Sequence, residues 1–574
     1  MAKFAPWLLV VTLTLALSLV PGSSWAQNPS LTTPPPQVEP APLPPPQALY
    51  VPLDDRPCNW LFPQQLARIG GGQLLVPPRA YLGQARTPGQ TKKLAAWLLK
   101  ESAPGPAIIA SDMLVYGGLL ASRTSALSLE EALEQVQVLE ELAQKGREVE
   151  VLATLPRLSL RTSAAQAPYE AALRNWASQV GAPPPAKVPP AIFQEYLGVR
   201  QRNLAVLERL LELTAQGSIS RLVLGQDDSA PRGIHLEELA QLQERIESLG
   251  IAQRVSLMCG ADELGCNMCA GWLARYYNYA PNIEFDYSDP LALEEIPPME
   301  TFTLAQTVEL HLELSGARES EGTGTVLFVQ TPSAKPFAAP KLEGDLEVQS
   351  EAQAMVERVA QKFASARPRP YGFADLHLVN RAEPLFAQTI MDNFPLWELA
   401  CYSAWNTPSN ALGTAIAQAC VQQIARVKGN NWDFYRRLES EKTQQAFTMA
   451  RLVDDYAYQA VIRQKLNGQY KDLSLEDDPL LNKDGPAGLE ARALAIPWAQ
   501  ELWRQKLEGR TYYAPSVGQN LTFAQMDLEI VLPWPRLFEI EERLNLTLLP
   551  APDPAEEASP QGQTEDKEGA LKDE

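Results

Sequence analysis

Histidine is scarce in this chain, which has three histidines among 574 residues. Zinc enzymes usually hold their metal through several histidine and cysteine ligands. His235 follows a pair of aspartates, whereas His311 and His377 lie in helical or strand-like runs and are predicted to be structural. The shortage of histidine argues against a zinc hydrolase.

Cysteine is also sparse, with six residues spread widely along the chain. Three of them form the segment "CGADELGCNMC", whose spacing lacks the second ligand pair of an ordinary four-ligand zinc site. The sequence therefore predicts buried thiols, or one disulfide bridge, from Cys58, Cys259, Cys266, Cys269, Cys401 and Cys420.

Three further classes of protein are not supported by the sequence: proteins with a phosphate-binding loop, serine hydrolases and nucleic-acid-binding proteins. The glycines from Gly70 to Gly72 lack the spacing and the lysine of a phosphate-binding loop, and there is no nucleophile elbow of a serine hydrolase. Basic residues are outnumbered, 49 against 69 acidic residues, which gives a net charge of -20. Such a chain repels nucleic acid and anionic membranes. We expect no cofactor and no nucleic-acid partner.

Both ends of the chain are predicted to lie outside the folded domains. Residues 1–26 combine an early lysine, an apolar run and small residues before Ala26, which is typical of a secretory signal peptide, with a retained anchor as the alternative. Residues 27–47 form a proline-rich linker, and residues 551–574 an acidic tail that is predicted to be disordered. We therefore expect an exported protein, periplasmic or extracellular, with no membrane contact beyond the signal peptide.

Between residues 48 and 420, short apolar runs alternate with longer amphipathic segments. One such segment, "SLEEALEQVQVLEELAQKG", has Ser128 at a helix start and Gly146 at its end. This rhythm indicates an α/β fold with a helix-covered parallel sheet, either TIM-barrel-like or built from doubly wound, Rossmann-like halves. Residues 421–550 are predicted to form a mainly helical C-terminal domain that includes a strand-like "FAQMDLEIVLPW".

Acidic residues recur where the predicted strands end. Ligands of parallel α/β folds bind at the carboxyl ends of the strands, where the loops converge. The repetition therefore predicts a shared acidic cleft. Its members would be Asp54 and Asp55 after the first run, Asp112 after the third, and then Asp227 with Asp228, Asp262 with Glu263, and Asp375.

These stretches carry a family resemblance over about residues 48 to 545. In order they read "PLDDRP", "SDMLVYGGLLASR", "GQDDSAPRG", "GADELG", "AWNTPSNALG" and "LPWPRLFE". They resemble the signature blocks of an uncharacterised bacterial family, domain of unknown function 4127. The resemblance supplies no chemistry, so the function has to come from the residues.

Glycoside hydrolysis is the chemistry that paired carboxylates suggest, since it needs one acid and one base or nucleophile. An Asp-Asp pair at a strand end is similar to the arrangement in glycosidases that use the substrate's N-acetyl group as nucleophile. Asp227 would orient that group and Asp228 would protonate the leaving oxygen, if the chain turns so that both enter the cleft. Asp262 and Glu263 are the competing catalytic pair, with Glu263 as the acid.

The remaining candidates surround these pairs and would bind a carbohydrate or other small polar substrate. Aromatic rings can stack on a sugar, asparagines can bind hydroxyls, and the two arginines either contact substrate or neutralise the acidic cluster. The candidate substrate-binding residues are Asp54, Asp55, Arg56, Asp112, Tyr116, Arg123, Trp405, Asn406 and Asn410, and Trp60 is a further stacking candidate.

Two other functions stay open. A metal-dependent hydrolase would use the same carboxylates to bind Mg²⁺, Mn²⁺ or Ca²⁺. A non-catalytic envelope protein would bind carbohydrate without turnover. Chelator-sensitive turnover, chelator-insensitive turnover and binding without turnover separate the metal enzyme, the glycosidase and the binding protein.

Overall fold

The structure is a computed structural model that describes residues 44–332, 357–358, 369–470 and 485–551. The predicted signal peptide, the linker as far as residue 43 and the tail from residue 552 lie outside the described residues, so these expectations stay predictions. The first strand begins at Gln47, the last residue of the predicted linker.

Six strands form the first sheet: β1 (Gln47–Val51), β2 (Gln73–Leu75), β3 (Ala107–Ala110), β4 (Val149–Leu155), β5 (Arg221–Gln226) and β6 (Val255–Cys259). Their order is β2-β1-β3-β4-β5-β6, and all neighbours run parallel. The α-helices between and after them are Pro57–Ile69, Thr91–Lys100, Ser111–Tyr116, Leu119–Ser122, Leu129–Gln144, Glu170–Ala177, Pro190–Gln216, Ile234–Leu249 and Leu264–Tyr276.

Successive residues of these strands pack into different cores, because side chains alternate across a sheet. In β1, Leu49 belongs to the core formed with the helices at 129–144 and 190–216, whereas Tyr50 belongs to the core formed with the helices at 57–69 and 264–276. Both faces are thus covered, which explains why the strand sequences are almost continuously apolar.

The helix Leu129–Gln144 shows how directly local sequence sets these elements. Ser128 and Glu131 form the reciprocal capping box expected at its start. Gly146 closes the helix with a φ of 79°, a conformation that glycine adopts without steric cost. Both expected boundary residues are therefore confirmed.

Five further strands form a second parallel sheet: β7 (Asn282–Tyr287), β8 (Arg318–Glu319), β9 (Thr325–Gln330), β10 (Tyr371–Asp375) and β11 (Leu399–Ser403). Their order is β8-β7-β9-β10-β11. The described α-helices of this part are Leu304–Leu314, Pro384–Asn393 and Pro408–Lys428.

The barrel expectation is not confirmed, because both sheets have edge strands. A barrel would pair its first and last strands, whereas β2 and β6 border the first sheet and β8 and β11 border the second. In each sheet the chain starts in an inner strand, places the next strand on one side and the later strands on the other. That order agrees with the alternative expectation, doubly wound halves. Alternating strands and helices are common to both architectures, so the rhythm alone could not separate them.

The C-terminal part is helical only in its first half. It contains the α-helices Phe434–Arg451, Arg463–Gln469 and Pro486–Lys506, and a π-helix at Leu452–Ile462. It then forms an antiparallel sheet of β12 (Thr511–Ala514), β13 (Gln519–Val531) and β14 (Glu541–Pro550), so the expectation of a mainly helical domain was incomplete. Strand β14 begins with three charged residues, which concealed it in the sequence.

All six cysteines lie in described residues, and all are buried free thiols, as one of the two expectations stated. Within the described ranges, no helix is both long enough and apolar enough to cross a bilayer.

Candidate active site

The loops after β1, β3, β4, β5 and β6 meet at one side of the first sheet, which we call the first carboxyl edge. Here Arg56, after β1, forms an ion pair with Asp262, after β6. Arg123 forms an ion pair with Asp227, after β5. A tryptophan from the loop between β13 and β14 also reaches this edge. Residues far apart in the sequence are therefore in direct contact at the strand ends.

Asp262 is held from several directions. The Arg56 guanidinium donates to both of its carboxylate oxygens, at 3.0 and 2.6 Å, and also to Asp54 at 2.9 Å. Asn59 and Asn406 each donate to Asp262 at 3.1 Å, and Asn406 does so from a left-handed backbone with a φ of 76°. Burial acts to raise the pKa of Asp262, but Arg56 and the hydrogen bonds lower it below its usual value. Asp262 is therefore a fixed anion.

Asp227 and Asp228 have different partners although they are adjacent. Asp227 pairs with Arg123 at 2.5 Å, and Asp228 pairs with Arg157. The backbone turns at Asp228, whose φ is 41°, and its side chain is 24% exposed against 8% for Asp227. Burial and the charge of Asp227 raise the pKa of Asp228, while Arg157 and Arg123 act to lower it. The pair thus joins a buried, guanidinium-bound carboxylate to a partly exposed one whose pKa is raised.

Asp55 contacts the loop between β13 and β14. Trp534 of this loop donates its indole N–H to Asp55 at 2.7 Å. The Trp534 ring lies between two guanidinium groups, 5.0 Å from Arg56 and 4.5 Å from Arg536. Burial raises the pKa of Asp55 to about 6, with the hydrogen bond from Trp534 acting in the opposite direction. The loop therefore covers one flank of the first carboxyl edge.

Asp112 and Tyr116 lie near this edge but are bound to neighbouring elements. Asp112 accepts hydrogen bonds from the Thr154 hydroxyl at 2.7 Å and from its backbone N–H at 3.1 Å. Burial raises the pKa of Asp112 to about 6. The guanidinium of Arg202 lies 4.7 Å from the centre of the Tyr116 ring, which is buried. Both side chains have contacts that a structural role would explain.

Glu263 belongs to a closed network. The Ser409 hydroxyl donates to Glu263 at 3.1 Å, and His311 Nε2 lies 3.3 Å from the same carboxylate oxygen and 3.1 Å from the hydroxyl. In a serine-hydrolase triad the acid and the nucleophile contact opposite nitrogens of the histidine. Here both contact Nε2, and all three side chains are buried. Glu300 accepts the Ser409 backbone N–H at 2.5 Å, and burial raises the pKa of Glu300 to about 8.

Trp405 and Asn410 line a small cavity between the two parallel sheets. The cavity borders the first carboxyl edge through Asp262, and it has room for about one water molecule. The lining residues are Cys58, Phe62, Asp262, Glu263, Ser403, Trp405, Asn410, Thr414 and Arg451.

Asp375 differs from the other predicted acidic residues in that it ends β10, a strand of the second sheet. It accepts the backbone N–H groups of His377 at 3.1 Å and Glu383 at 2.6 Å. Burial raises its pKa to about 7. The acidic strand ends are therefore divided between two sheets, with Asp375 in the second and the other predicted residues in the first.

A second group of carboxylates surrounds Arg451, close to the ends of β10 and β11. Arg451 pairs with Asp454 at 3.2 Å, Asp455 at 2.8 Å and Glu542 at 3.4 Å. Asp455 also accepts the backbone N–H of Ala404 at 2.7 Å. Burial raises the pKa of Asp455 to about 7. We call Asp375 together with this group the second carboxyl edge.

The sequence analysis assigned no role to several residues that bind the predicted carboxylates. Arg157 follows the end of β4. The aspartates were chosen because they follow strand ends, and the same criterion applied to basic residues would have found Arg157. Trp534 and Arg536 lie in the quoted block "LPWPRLFE", which carried a resemblance but no chemistry. Arg451 lies three and four residues before Asp454 and Asp455, a helical ion-pair spacing.

A family model, described as a protein of unknown function (DUF4127), matches residues 48–542. The chain belongs to this family. The match confirms the resemblance found in the sequence blocks, which include residues of the first carboxyl edge. A search of curated proteins gives no match. Among the described residues of this DUF4127 member, no group of three or more His, Cys, Asp or Glu side chains is placed to hold a metal ion.

Proposed function

We propose that this DUF4127 protein is an exported, glycoside-hydrolase-like enzyme that acts at the first carboxyl edge. Asp228 is the proposed general acid, and Asp227 is the neighbouring carboxylate that orients the substrate or stabilises developing positive charge. Asp262 is a fixed negative charge beside them. A carbohydrate is the proposed substrate, because acid catalysis at a glycosidic oxygen is what such a pair of carboxylates can perform.

The observation that carries this proposal is the difference between the two adjacent aspartates. Acid/base pairs in enzymes are typically groups whose surroundings separate their pKa values. Asp227 is bound to Arg123 at 2.5 Å and is buried, whereas Asp228 is more exposed and its pKa is raised. A partly exposed carboxyl with a raised pKa, close to the ionised Asp262, is the arrangement that protonation of a leaving group requires.

Asp228→Asn tests the proposal. General acid catalysis contributes roughly 10²- to 10⁴-fold to rate, so turnover of aryl glycosides should fall by about that factor. Thermal stability should change little, because the Asp228–Arg157 pair is partly exposed and such pairs contribute about 0 to 1 kcal/mol. The screen would use N-acetylated and plain aryl glycosides, with and without a chelator.

Glu150→Gln is the matched control. Glu150 lies near the start of β4, away from the first carboxyl edge, and it pairs with Arg275, so the change also removes the charge of an ion-paired carboxylate. Glu150→Gln should retain turnover per folded molecule. Equal losses in both variants would contradict the role of Asp228. Chelator-sensitive turnover would favour the metal enzyme, and sugar binding without turnover would favour the binding protein.

A further inference from the structure

Four of the residues that line the cavity each have a buried polar atom without a partner in the described part of the chain. Glu263 Oε2, Asn410 Oδ1, Trp405 Nε1 and Arg451 Nε are buried, and none has a hydrogen-bond partner among the described residues. A buried polar group without a partner costs about 1 to 3 kcal/mol. Four such atoms on the residues lining one small cavity are more than a well-packed interior normally tolerates.

The chemistry of the four atoms is balanced. Two are acceptors, on Glu263 and Asn410, and two are donors, on Trp405 and Arg451. The four residues are also at least nine-tenths buried. A ligand group that complements them must both donate and accept hydrogen bonds. A metal cation offers no acceptor and a fully deprotonated anion offers no donor, so neither complements all four atoms.

We propose that this cavity is a subsite that takes one hydroxyl group of the bound sugar. The inference rests on the proposed function, since it assumes a carbohydrate at the first carboxyl edge. A hydroxyl has one donor and two acceptor sites, so it can donate to Glu263 or Asn410 while accepting from Trp405 and Arg451. It also has about the size of one water molecule, which is what the cavity admits.

The position of the cavity joins it to the proposed catalytic groups. Asp262 both lines the cavity and binds Arg56 at the first carboxyl edge, and Asn406, one residue after Trp405, donates to Asp262 at 3.1 Å. In the proposed complex, a sugar at the edge places a single substituent in the cavity. The identity of that substituent would decide which sugar is accepted, because a sugar without a hydroxyl there leaves the buried groups unpaired.

Trp405→Phe is the variant that tests the subsite. It removes one of the two donors and keeps an aromatic ring that packs on Phe538. Trp432→Phe is the matched control, because Trp432 is similarly buried yet does not line the cavity. Both changes would be made in the Asp228→Asn background, so that no sugar is hydrolysed during the measurement.

Calorimetry would measure the binding of methyl β-D-glucopyranoside and of methyl β-N-acetyl-D-glucosaminide, followed by monodeoxy forms of the tighter ligand. We expect Trp405→Phe to weaken binding about ten-fold and Trp432→Phe to leave it within about two-fold, as for loss of one buried hydrogen bond. One monodeoxy sugar should bind the Asp228→Asn protein about ten-fold more weakly than the parent sugar does. Adding Trp405→Phe should weaken the binding of that deoxy sugar little further.

Three results would overturn the inference. The first is that Trp405→Phe and Trp432→Phe bind the sugar with equal affinity. The second is that every deoxy sugar loses as much affinity in Trp405→Phe as in the protein that retains Trp405. The third is that neither glycoside binds. Any of them would mean that the cavity holds a structural water only. If Trp405→Phe does not fold, Thr414→Leu replaces it, since it fills the cavity without changing the four unpartnered atoms, and it should abolish the same selectivity. Aryl glycoside turnover by the unaltered protein tests the proposed function separately.

Discussion

The two carboxyl edges have similar acidic residues but different numbers of guanidinium groups. At the first edge, three arginines pair with four aspartates: Arg56 with Asp54 and Asp262, Arg123 with Asp227, and Arg157 with Asp228. At the second edge, one arginine serves three carboxylates, namely Arg451 with Asp454, Asp455 and Glu542, and Asp375 has backbone N–H donors.

This difference affects the pKa of the buried aspartates at the two edges. Asp262 and Asp375 are both buried, yet the pKa of Asp262 is lowered and that of Asp375 is raised to about 7. Burial favours the neutral acid in both cases, and only Asp262 has a guanidinium close enough to reverse the effect. The nearby guanidinium groups, rather than burial alone, therefore separate the charge state of Asp262 from that of Asp375.

The largest expected effect comes from removing the single cation of the second edge. Arg451→Met should lower the free energy of unfolding by roughly 3 to 5 kcal/mol, because it leaves several buried carboxylates without their shared partner. Arg157→Met removes a guanidinium from a pair whose side chains are 31% and 24% exposed, and should cost about 0 to 1 kcal/mol. Urea unfolding of both variants provides the comparison. Similar losses would mean that the two edges are not different in the way proposed.

A second, smaller effect is the pH dependence of Asp375→Asn. The pKa of Asp375 is raised from an unfolded value near 3.8 to about 7, so the folded protein binds the proton more tightly. Stability from this group is therefore complete below about pH 4 and is lost as the pH rises towards 7. Asparagine does not titrate, so the stability of the variant relative to the unaltered protein should improve by roughly 2 to 4 kcal/mol between pH 4.5 and pH 8.

Asp262→Asn should show the opposite trend. Its pKa is lowered in the folded protein, so its contribution is present at neutral pH and is lost as the pH falls. The gap between Asp262→Asn and the unaltered protein should therefore be largest near pH 7 and should narrow in acid. Unfolding curves at several pH values would check both slopes, and parallel curves for the two variants would remove the distinction between the edges.

The sequence predicted the strand ends better than their grouping. Asp54, Asp112, Asp227 and Asp262 all follow strands of one sheet, as expected from apolar runs that end in acidic residues. Asp375 follows the same local pattern in another sheet. Local patterns report where a strand ends, but pairing between distant strands depends on helix packing, so sequence could not assign Asp375 to a sheet.

The ion pairs were harder to predict than the carboxylates. Arg56 and Arg123 were candidates, and the structure pairs both with aspartates, in agreement with the alternative that they neutralise the cluster. Arg451 pairs locally with Asp454 and Asp455, but its pair with Glu542 and the hydrogen bond from Trp534 to Asp55 join residues far apart in the chain. Single-sequence patterns thus identify the carboxylates and their local partners, whereas the distant partners come from tertiary contacts.

The smallest expected effect concerns the loop between β13 and β14. Trp534→Phe removes the N–H that Asp55 accepts at 2.7 Å and keeps a ring between Arg56 and Arg536. That hydrogen bond helps to keep the pKa of Asp55 as low as about 6, so its loss should raise the pKa further and cost about 1 to 2 kcal/mol at neutral pH.

Trp60→Phe is the control for this last change. Trp60 lies under the guanidinium of Arg79, 4.6 Å from its ring centre, and its indole nitrogen has no hydrogen-bond partner in the described part of the chain. Its replacement should therefore cost less than that of Trp534 at neutral pH. Below about pH 5 the gap should narrow, because Asp55 is protonated in both proteins and the bond to a neutral carboxyl is weaker. A gap that is constant with pH would mean that Trp534 stabilises the edge by packing alone, and that the loop does not control the charge of Asp55.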